Sequence, residues 1–421
     1  MAAPGLGLAP HGIDHNDMRR AGADRLSLAL MDARNQTLQL LARYEEAMAS
    51  KGLKVPPRPE LELPQWLAGH VAWFGEFWIA RNPRRGLGSQ CPADAPRLAS
   101  IEPMSDRWFN PVLSPHGGRW DMPLPDLREC RAYLMETLER TLELLEHAAP
   151  DDAGLYFFRA ALFHEDLRGE QLVRQAQALG VALPLAAPPS AVVREPLHLP
   201  ASTWLLGMPD EGFVFDVEKW AHEVPVPEFE IDAQPVSWGQ YVEFVDDGGY
   251  DRRELWHPDG WAWLEAQTAQ EGRRGPLHVD QIGVASGAVM QQLFGRATRM
   301  SSQQPAMHVT WWEADACARW MGRRLPTEVE WELAAHQGAG RGFRWGDVWE
   351  WTAGTLWPWA DFEPDAWKRH TDLEAQPLFG RARVQRGASF ATRSRMKSAR
   401  FRGFALPERD DGFVGFRTCA M

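Results

Sequence analysis

The chain has 421 residues, with 45 Lys and Arg against 57 Asp and Glu, and its formal net charge of −12 argues against nucleic acid and anionic membrane surfaces as partners. No uncharged apolar run approaches the roughly 18 residues of a membrane-spanning helix, and the N-terminus lacks the basic start and apolar core of a signal peptide. The composition therefore predicts a cytoplasmic protein, and the length predicts two domains.

Four helical segments are predicted in the N-terminal half. Apolar residues recur at helical spacing from Asp24 to Ser50, and a second amphipathic segment runs from Pro64 to Asn82, where Pro83 stops it. Two further segments span 127–148 and 155–180. Four long helices with apolar stripes are typical of a helical bundle.

The composition and the predicted secondary structure change after the fourth helix. Residues 181–200 are rich in Pro and Ala and predict an ordered linker between a bundle at 20–180 and a second domain at 201–421. The second domain has short strands and many Gly and Asp turns, and helices are predicted only at 311–321 and around 328–335. It is therefore expected to be rich in loops.

Two histidines of the bundle are candidate metal ligands. His70 lies on the aromatic stripe of the second helix, and His164 lies in the middle of the fourth. Inward side chains on facing helices can share one ion, although a single histidine in such a position is more often an ordinary core residue. Arg168 follows His164 at a spacing of four, so it shares its helix face, but a guanidinium has no free lone pair. The residues thus predict two imidazole ligands, with His116 of the long connection as a possible third.

Most of the tryptophans lie in the C-terminal half of the chain. Of the 21 tryptophans, 16 lie at or after Trp204, which suits either a packed core or a ligand-facing wall. The four cysteines are far apart and form no CxxC pair, so neither a disulfide framework nor a zinc knuckle is predicted: Cys91, Cys130, Cys317 and Cys419.

Three dense segments of the C-terminal half, which begin at Phe213, Pro305 and Trp345, resemble domains of the formylglycine-generating-enzyme type. In that family the runs at 323–332 and 348–352 are structural signatures. Four charged residues in or near these runs are accordingly expected to form buried pairs that brace loops: Arg324, Glu330, Glu350 and Arg417.

The whole chain resembles the nonheme iron sulfoxide synthases of ergothioneine biosynthesis and, more closely, the selenoneine synthases. The resemblance rests on LPQWLAGHVAWFGEFW in the second helix and on the segments 79–83, 156–166, 386–397 and 406–420. It implies an α+β fold in which a DinB-like four-helix bundle precedes a loop-rich, C-type-lectin-like domain of the formylglycine-generating-enzyme type.

The resemblance also implies an activity. Members of the family hold Fe(II) with three histidines, here including His70 and His164, and use dioxygen to join a selenosugar or a thiol to hercynine, the betaine of histidine. The trimethylammonium group of hercynine would rest on aromatic faces, for which Trp349, Trp351 and Trp359 are candidates. The resemblance assigns four residues to the border of the substrate pocket: Arg402, Phe404, Arg409 and Asp410.

Three departures from the family pattern leave alternatives open. Arg168 stands where a third histidine is expected, and Gly403, between Arg402 and Phe404, replaces an amide residue. Sulfoxide synthases use a tyrosine of the C-terminal domain as a proton donor, but the last tyrosine here, Tyr250, precedes the WEWT segment. No catalytic residue is therefore assigned.

The alternatives are an ergothioneine sulfoxide synthase and a metal-poor, non-catalytic homologue that binds a betaine or a sugar. A third alternative is an oxidase that generates formylglycine from peptide cysteines. That chemistry needs a close cysteine pair, whereas Cys317 lies in a predicted helix and Cys419 lies near the C-terminus.

Overall fold

The computed structural model describes residues 12–282 and 289–421. Its N-terminal half is a bundle of four long helices, with one short helix in the connection between the second and third. The bounds are α1 (Ala23–Lys51), α2 (Pro64–Gly75), α3 (Ser105–Phe109), α4 (Leu127–Glu146) and α5 (Asp152–Leu179). The four predicted segments are confirmed as helices.

The helix ends follow from their capping residues. Asp126 forms a capping box with Glu129 at the start of α4, and Asp151 accepts a hydrogen bond from the backbone of the first turn of α5. Gly52 and Gly180 end α1 and α5 in the left-handed conformation, which costs glycine little. The caps therefore account for where the chain turns between bundle helices.

The second helix departs from its predicted length. The α-helical part ends at Gly75, and residues 76–80 continue as one π-helical turn in which the Arg81 N–H bonds the Glu76 carbonyl. The helix was predicted to run to Asn82 as one α-helix, because a hydrophobic stripe does not reveal a change of hydrogen-bond spacing. Such π-turns are frequent near functional sites.

The C-terminal half contains short strands around a four-stranded sheet. The strands are β1 (Leu197–Leu199), β2 (Ser202–Leu206), β3 (His222–Val226), β4 (Phe229–Ile231), β5 (Val279–Ile282), β6 (Val289–Leu293), β7 (Arg296–Met300), β8 (Trp349–Thr355), β9 (Arg383–Gly387), β10 (Arg402–Ala405) and β11 (Val414–Phe416). The order of the four-stranded sheet is β10–β9–β8–β11, with β8 and β11 parallel and the other pairs antiparallel.

Four helices flank these strands, two more than the sequence predicted. They are α6 (Trp238–Asp246), α7 (Pro258–Glu271), α8 (Trp311–Trp320) and α9 (Glu328–Gln337). The prediction missed α6, which is only nine residues long, and α7, which buries only Gly260 and Leu264 and so lacks a readable apolar stripe. None of the helices in 12–282 and 289–421 has the length and apolar character needed to cross a bilayer.

The two halves share one hydrophobic core. Phe213, Phe215 and Trp367 of the C-terminal half pack against each other and against Tyr156 and Phe163 of α5. Helix α5 is therefore covered on both sides, by the bundle and by the second domain. This explains why the segment around His164 is buried all round rather than along one stripe.

Candidate functional site

The imidazoles of His70 and His164 meet inside the bundle. Their Nε2 atoms are 3.2 Å apart, and their rings cross at 68° with centroids 5.0 Å apart. Nδ1 of His70 is 2.8 Å from the carbonyl oxygen of Phe109, to which it donates its proton, so Nε2 keeps a free lone pair. The hydrogen bond from Nδ1 to a carbonyl is the orientation that metal-bound histidines usually have.

Aromatic packing holds both rings. Trp66 stacks on His70 at a centroid distance of 4.7 Å, and Phe74 stacks on His164 at 4.0 Å. Burial lowers the pKa of His70 to about 3, and the positive charge of Arg168 adds to this effect. Burial also lowers the pKa of His164 well below its usual value, with smaller contributions from His70 and Arg168. Both imidazoles are therefore neutral and able to act as ligands at neutral pH.

The separation of the two nitrogens fits two ligands of one ion. Metal–imidazole bonds of roughly 2.05 Å that meet at about 90–110° place the two nitrogens about 2.9–3.4 Å apart. The observed 3.2 Å between His70 Nε2 and His164 Nε2 lies within this range. The two imidazoles therefore suit one half of a metal site.

The position expected for a third metal ligand is occupied by the guanidinium of Arg168. Arg168 places Nε 3.3 Å from His164 Nε2 and Nη2 3.4 Å from His70 Nε2, while its Nη1 donates to Gln171 at 2.7 Å. Burial lowers the pKa of Arg168 only to about 10, so the guanidinium remains charged at neutral pH. In this arrangement the lone pairs that would hold an ion face a cation, and the three-histidine set for Fe(II) is not formed.

No replacement for the missing ligand is in place. His116 is engaged elsewhere, with Nε2 2.7 Å from the Leu61 carbonyl and its ring against Trp120. Across the part of the chain that the structure describes, no three His, Cys, Asp or Glu side chains are grouped so that they could hold a metal ion. The third donor therefore has to come from a rearranged side chain or from solvent.

The carboxylates that flank His164 brace the structure. Glu165 accepts two hydrogen bonds from Arg34 of α1, and Asp166 accepts two from Arg395 of the C-terminal half. All four side chains are buried. The two acids therefore fix α5 against α1 and against the second domain, and neither is free to bind an ion.

A cavity of about 430 Å³ lies between the bundle and the C-terminal domain. On the bundle side it is lined by Leu167, Glu170, Gln171 and Arg174, which follow the spacing of one face of α5. The face contains Gln171, the acceptor for Arg168, so the cavity is separated from the two imidazoles by these side chains. The cavity therefore lies beside the imidazole pair without reaching it.

The opposite wall comes from the second domain. Asp372 lines this side of the cavity, accepts a hydrogen bond from Arg119 at 3.1 Å and interacts electrostatically with Arg168. The positive charges of Arg168 and Arg119 act against burial and keep the pKa of Asp372 below its usual value. Asp372 therefore brings a negative charge from the second domain towards the imidazole pair.

Aromatic rings form one end of the cavity. Phe401 packs against Phe215 at a centroid distance of 5.5 Å and against Trp349 at 5.3 Å, and all three line the cavity. The indole N–H of Trp349 donates to Glu170 at 2.7 Å, which fixes the ring. Faces of this kind attract quaternary ammonium groups.

Only three of the four residues assigned to the border of the substrate pocket line the cavity. Arg402, Phe404 and Arg409 line the cavity, whereas Asp410 does not belong to its lining and pairs with Arg273 at 2.8 Å. Burial raises the pKa of Asp410 to about 7. The two arginines of this set have partners: Arg402 makes two hydrogen bonds to Glu328, and Arg409 makes two to Asp411.

The three tryptophans proposed to face the ligand also lie in different places. Trp349 lines the cavity, Trp351 is buried with its N–H bonded to the Val309 carbonyl, and Trp359 packs under the guanidinium of Arg402 at 4.5 Å. Among the lining residues that the sequence analysis missed, Glu170 and Arg174 are four residues apart on α5, so helical spacing predicts that they share a face. Asp372 lies in a loop without a pattern and carried none.

The charged residues expected to brace the second domain do so. Arg324 pairs with Glu330 at 2.7 Å, and Arg417 makes two hydrogen bonds to the buried carboxylate of Glu350. The four cysteines are free and buried, and none is paired with another.

Comparison with known proteins matches both halves. Residues 25–176 match the DinB superfamily, and residues 189–347 match the sulfatase-modifying factor enzyme 1-like domain. A hercynine oxygenase of Mycolicibacterium thermoresistibile is 28% identical, covering 93% of this chain and 94% of the relative. One of Mycolicibacterium smegmatis is also 28% identical, covering 95% and 98%.

A formylglycine-generating enzyme of Streptomyces coelicolor is similar to a smaller part of the chain. It is 26% identical and covers 56% of this chain and 96% of the relative. The similarity to hercynine oxygenases, in contrast, extends through both domains. This chain thus has a DinB-superfamily bundle followed by a sulfatase-modifying-factor-type domain, and it is similar to hercynine oxygenases through both.

Proposed function

We propose that this chain is an oxidoreductase that acts on hercynine in the cavity between its two domains. The observation that carries the proposal is the convergence of His70 Nε2 and His164 Nε2, 3.2 Å apart, beside this cavity. The similarity to proteins named hercynine oxygenases supports hercynine as the substrate and dioxygen as the oxidant.

The cavity offers groups that suit a betaine. The trimethylammonium group would rest against Phe215, Trp349 and Phe401, and the carboxylate would meet a cation. Of the cations that line the cavity, Arg174 has a loose pairing, since its side chain is 35% exposed and its nearest carboxylate oxygen, on Asp411, is 3.4 Å away. Arg174 is therefore the proposed partner of the hercynine carboxylate.

The finer proposal concerns the cofactor and the second substrate. Fe(II) would be held by His70 and His164 and would supply oxygen activation, and a selenosugar or a thiol would be joined to hercynine in the cytoplasm. The residues as they are placed do not accommodate the ion, because Arg168 faces both lone pairs. Iron binding therefore requires Arg168 to turn away, for example towards the carboxylate of Asp372.

Anaerobic titration with Fe(II) tests this proposal. Submillimolar binding that is lost in His164→Ala supports it, and His116→Ala serves as a matched control because that imidazole is engaged with Leu61. Affinity weaker than millimolar, or binding unchanged in His164→Ala, overturns the iron site. Calorimetric titration with hercynine tests the substrate separately, with Arg174→Gln expected to weaken binding.

The contacts of Arg168 favour a second candidate, a metal-poor homologue that binds a betaine or a sugar without turnover. In that case the guanidinium permanently takes the place of the ion. Hercynine would bind the wild-type chain without iron and with the same affinity after iron is added. Strong iron binding by the wild-type chain would eliminate this candidate.

A further inference from the structure

A second pair of imidazoles lies in the C-terminal domain, outside the lining of the interdomain cavity. The rings of His278 and His308 cross at 82° with centroids 4.9 Å apart. These values are close to the 68° and 5.0 Å of His70 and His164 in the bundle. Unlike that pair, His278 and His308 have no guanidinium hydrogen-bonded to their ring nitrogens among the described residues.

Both histidines have a left-handed backbone. His278 has a φ of 65° and His308 a φ of 62°, in a region that few residues other than glycine adopt but in which histidine is more frequent than most. Each conformation costs some backbone energy, which the surrounding structure has to offset.

The hydrogen bonds of His308 leave one nitrogen free for a ligand. Its Nδ1 is 3.1 Å from the carbonyl oxygen of Asp410, so Nδ1 carries the proton and Nε2 carries the lone pair. The ring is completely buried, yet Nε2 has no hydrogen-bond partner in the described parts of the chain. A ring nitrogen that donates to a carbonyl while the other faces inward is the usual arrangement of a metal-bound histidine.

Two more polar groups nearby also have no partner. Nε2 of His278 is buried and unpaired, and so are both amide atoms of the fully buried Gln291 within 12–282 and 289–421. Gln291 is the register partner of Val279, the residue after His278, and the N–H of Gln292 donates to the His278 carbonyl at 2.8 Å, so the backbones of β6 and His278 lie close together. Buried polar atoms are nearly always paired, so the unpaired Nε2 atoms of His278 and His308 mark a place where an ion or a water can bind.

Charges of both signs act on the pair. Asp411, which is itself paired with Arg409, acts on both imidazoles, and Asp280 acts on His278. Arg273 acts in the opposite sense on His278 and pairs with Asp410 at 2.8 Å. Burial lowers the pKa of His278 to about 4 and of His308 to about 3, so both rings are neutral at neutral pH.

We propose that His278 and His308 bind a borderline divalent cation, of the class of Zn²⁺, through their Nε2 atoms. Water completes the coordination. Because Asp410 holds His308 and is followed by Asp411 in the cavity wall, the ion braces the loop that carries Arg409. The site is independent of the proposed iron site in the bundle.

Zn²⁺ titration of the chelator-treated full-length chain tests the proposal, with a chromophoric competitor as the readout. The titration is done in the His164→Gln background, so that the bundle pair contributes nothing. One equivalent of Zn²⁺ should bind, and adding His278→Asn or His308→Asn should weaken it at least 100-fold. Asparagine tolerates the left-handed backbone, so these changes remove the ligand without adding strain.

Two further measurements make the result decisive. Zn²⁺ should raise the midpoint of thermal unfolding of the His164→Gln protein and leave that of His278→Asn unchanged, which also shows whether each variant folds. Bound Co²⁺ should give a visible absorption spectrum that is lost with His278. Absence of Zn²⁺ binding in the His164→Gln protein, or binding unchanged by His278→Asn, would mean that buried water fills the cluster and would overturn the proposal.

Discussion

Asp166 of α5 and Arg395 of the C-terminal half form a buried ion pair across the domain boundary. Nε and Nη2 of the arginine are 2.7 Å and 2.9 Å from the two carboxylate oxygens. The side chain of Arg395 is 0% exposed and that of Asp166 is 1% exposed. Asp32 of α1 accepts a further hydrogen bond from Arg395 at 2.8 Å. Because Asp166 lies two residues after His164, the contact between the domains and the position of this imidazole depend on the same turn of helix.

Removing the charge of Asp166 is expected to destabilise the protein strongly. Asp166→Asn leaves Arg395 buried with only part of its compensation, which should lower the free energy of unfolding by about 3–5 kcal/mol. Glu143→Gln is the matched control, because its ion pair with Arg140 is exposed and should change the stability by less than about 0.5 kcal/mol. Denaturant unfolding followed by fluorescence measures both, and equal effects of the two changes would contradict this account.

Local helical periodicity predicted the helices of the bundle, and the position of His70 and His164 on two helices of one bundle predicted that they could meet. The sequence could not predict that Asp166 pairs with Arg395, since the two are 229 residues apart and nothing local links them. The same holds for Asp372, which a loop of the second domain brings towards Arg168. The contacts between the two domains, which also form the cavity, are therefore the part of the structure that the sequence did not predict.

Replacing Arg168 with histidine is expected to create a metal site. The change removes the cation that faces both Nε2 atoms and adds a third imidazole on the same face of α5. Arg168→His should bind Fe(II) or Co²⁺ at least tenfold more tightly than the wild-type chain, measured by anaerobic titration and by the absorption of bound Co²⁺. Arg174→His, further along the same helix, is the control and should have no such effect. A gain of equal size in both variants would show that an added surface imidazole suffices.

His370 predicts a dependence of stability on pH. The ring packs against Phe77 and Trp78 of the bundle, and burial, with help from Arg97 and Arg369, lowers its pKa to about 4. The unfolded chain takes up the proton near pH 6.5, so the folded state loses stability as the pH falls from about 6.5 towards 4. With a discount for partial exposure, the loss at pH 5 is about 1 kcal/mol.

His370→Gln tests this dependence because glutamine does not titrate in this range. The difference in unfolding free energy between pH 7 and pH 5 should be smaller in the variant by about 1 kcal/mol. His198→Gln serves as the control, since that side chain is 72% exposed. Parallel pH profiles of wild type and His370→Gln would show that His370 is not the group that titrates.

The aromatic end of the cavity should determine affinity for the ammonium group of hercynine. Trp349→Leu removes a ring face that packs against Phe401, and the loss of a desolvated cation–π contact of about 1–2 kcal/mol should weaken hercynine binding by roughly 5–30-fold. Trp349→Phe keeps a ring face and should lose less. Trp357→Leu is the control, because that side chain is 59% exposed. Calorimetry measures all three, and histidine, which lacks the methyl groups, should bind equally to wild type and Trp349→Leu.

Gly403 offers a way to strengthen the same site. The glycine lines the cavity, and a Cβ built there would meet the Gln385 carbonyl and Trp349 at 3.5 Å, which is ordinary contact. Gly403→Asn therefore fits and places an amide beside the aromatic rings, where one new hydrogen bond of about 0.5–1.5 kcal/mol would tighten hercynine binding by roughly 2–10-fold. Gly354→Asn, with similar room but outside the cavity lining, should leave the affinity unchanged. Weaker binding of hercynine by Gly403→Asn would contradict this expectation. It would mean that hercynine already occupies the space next to the backbone of Gly403 and is displaced by the added side chain.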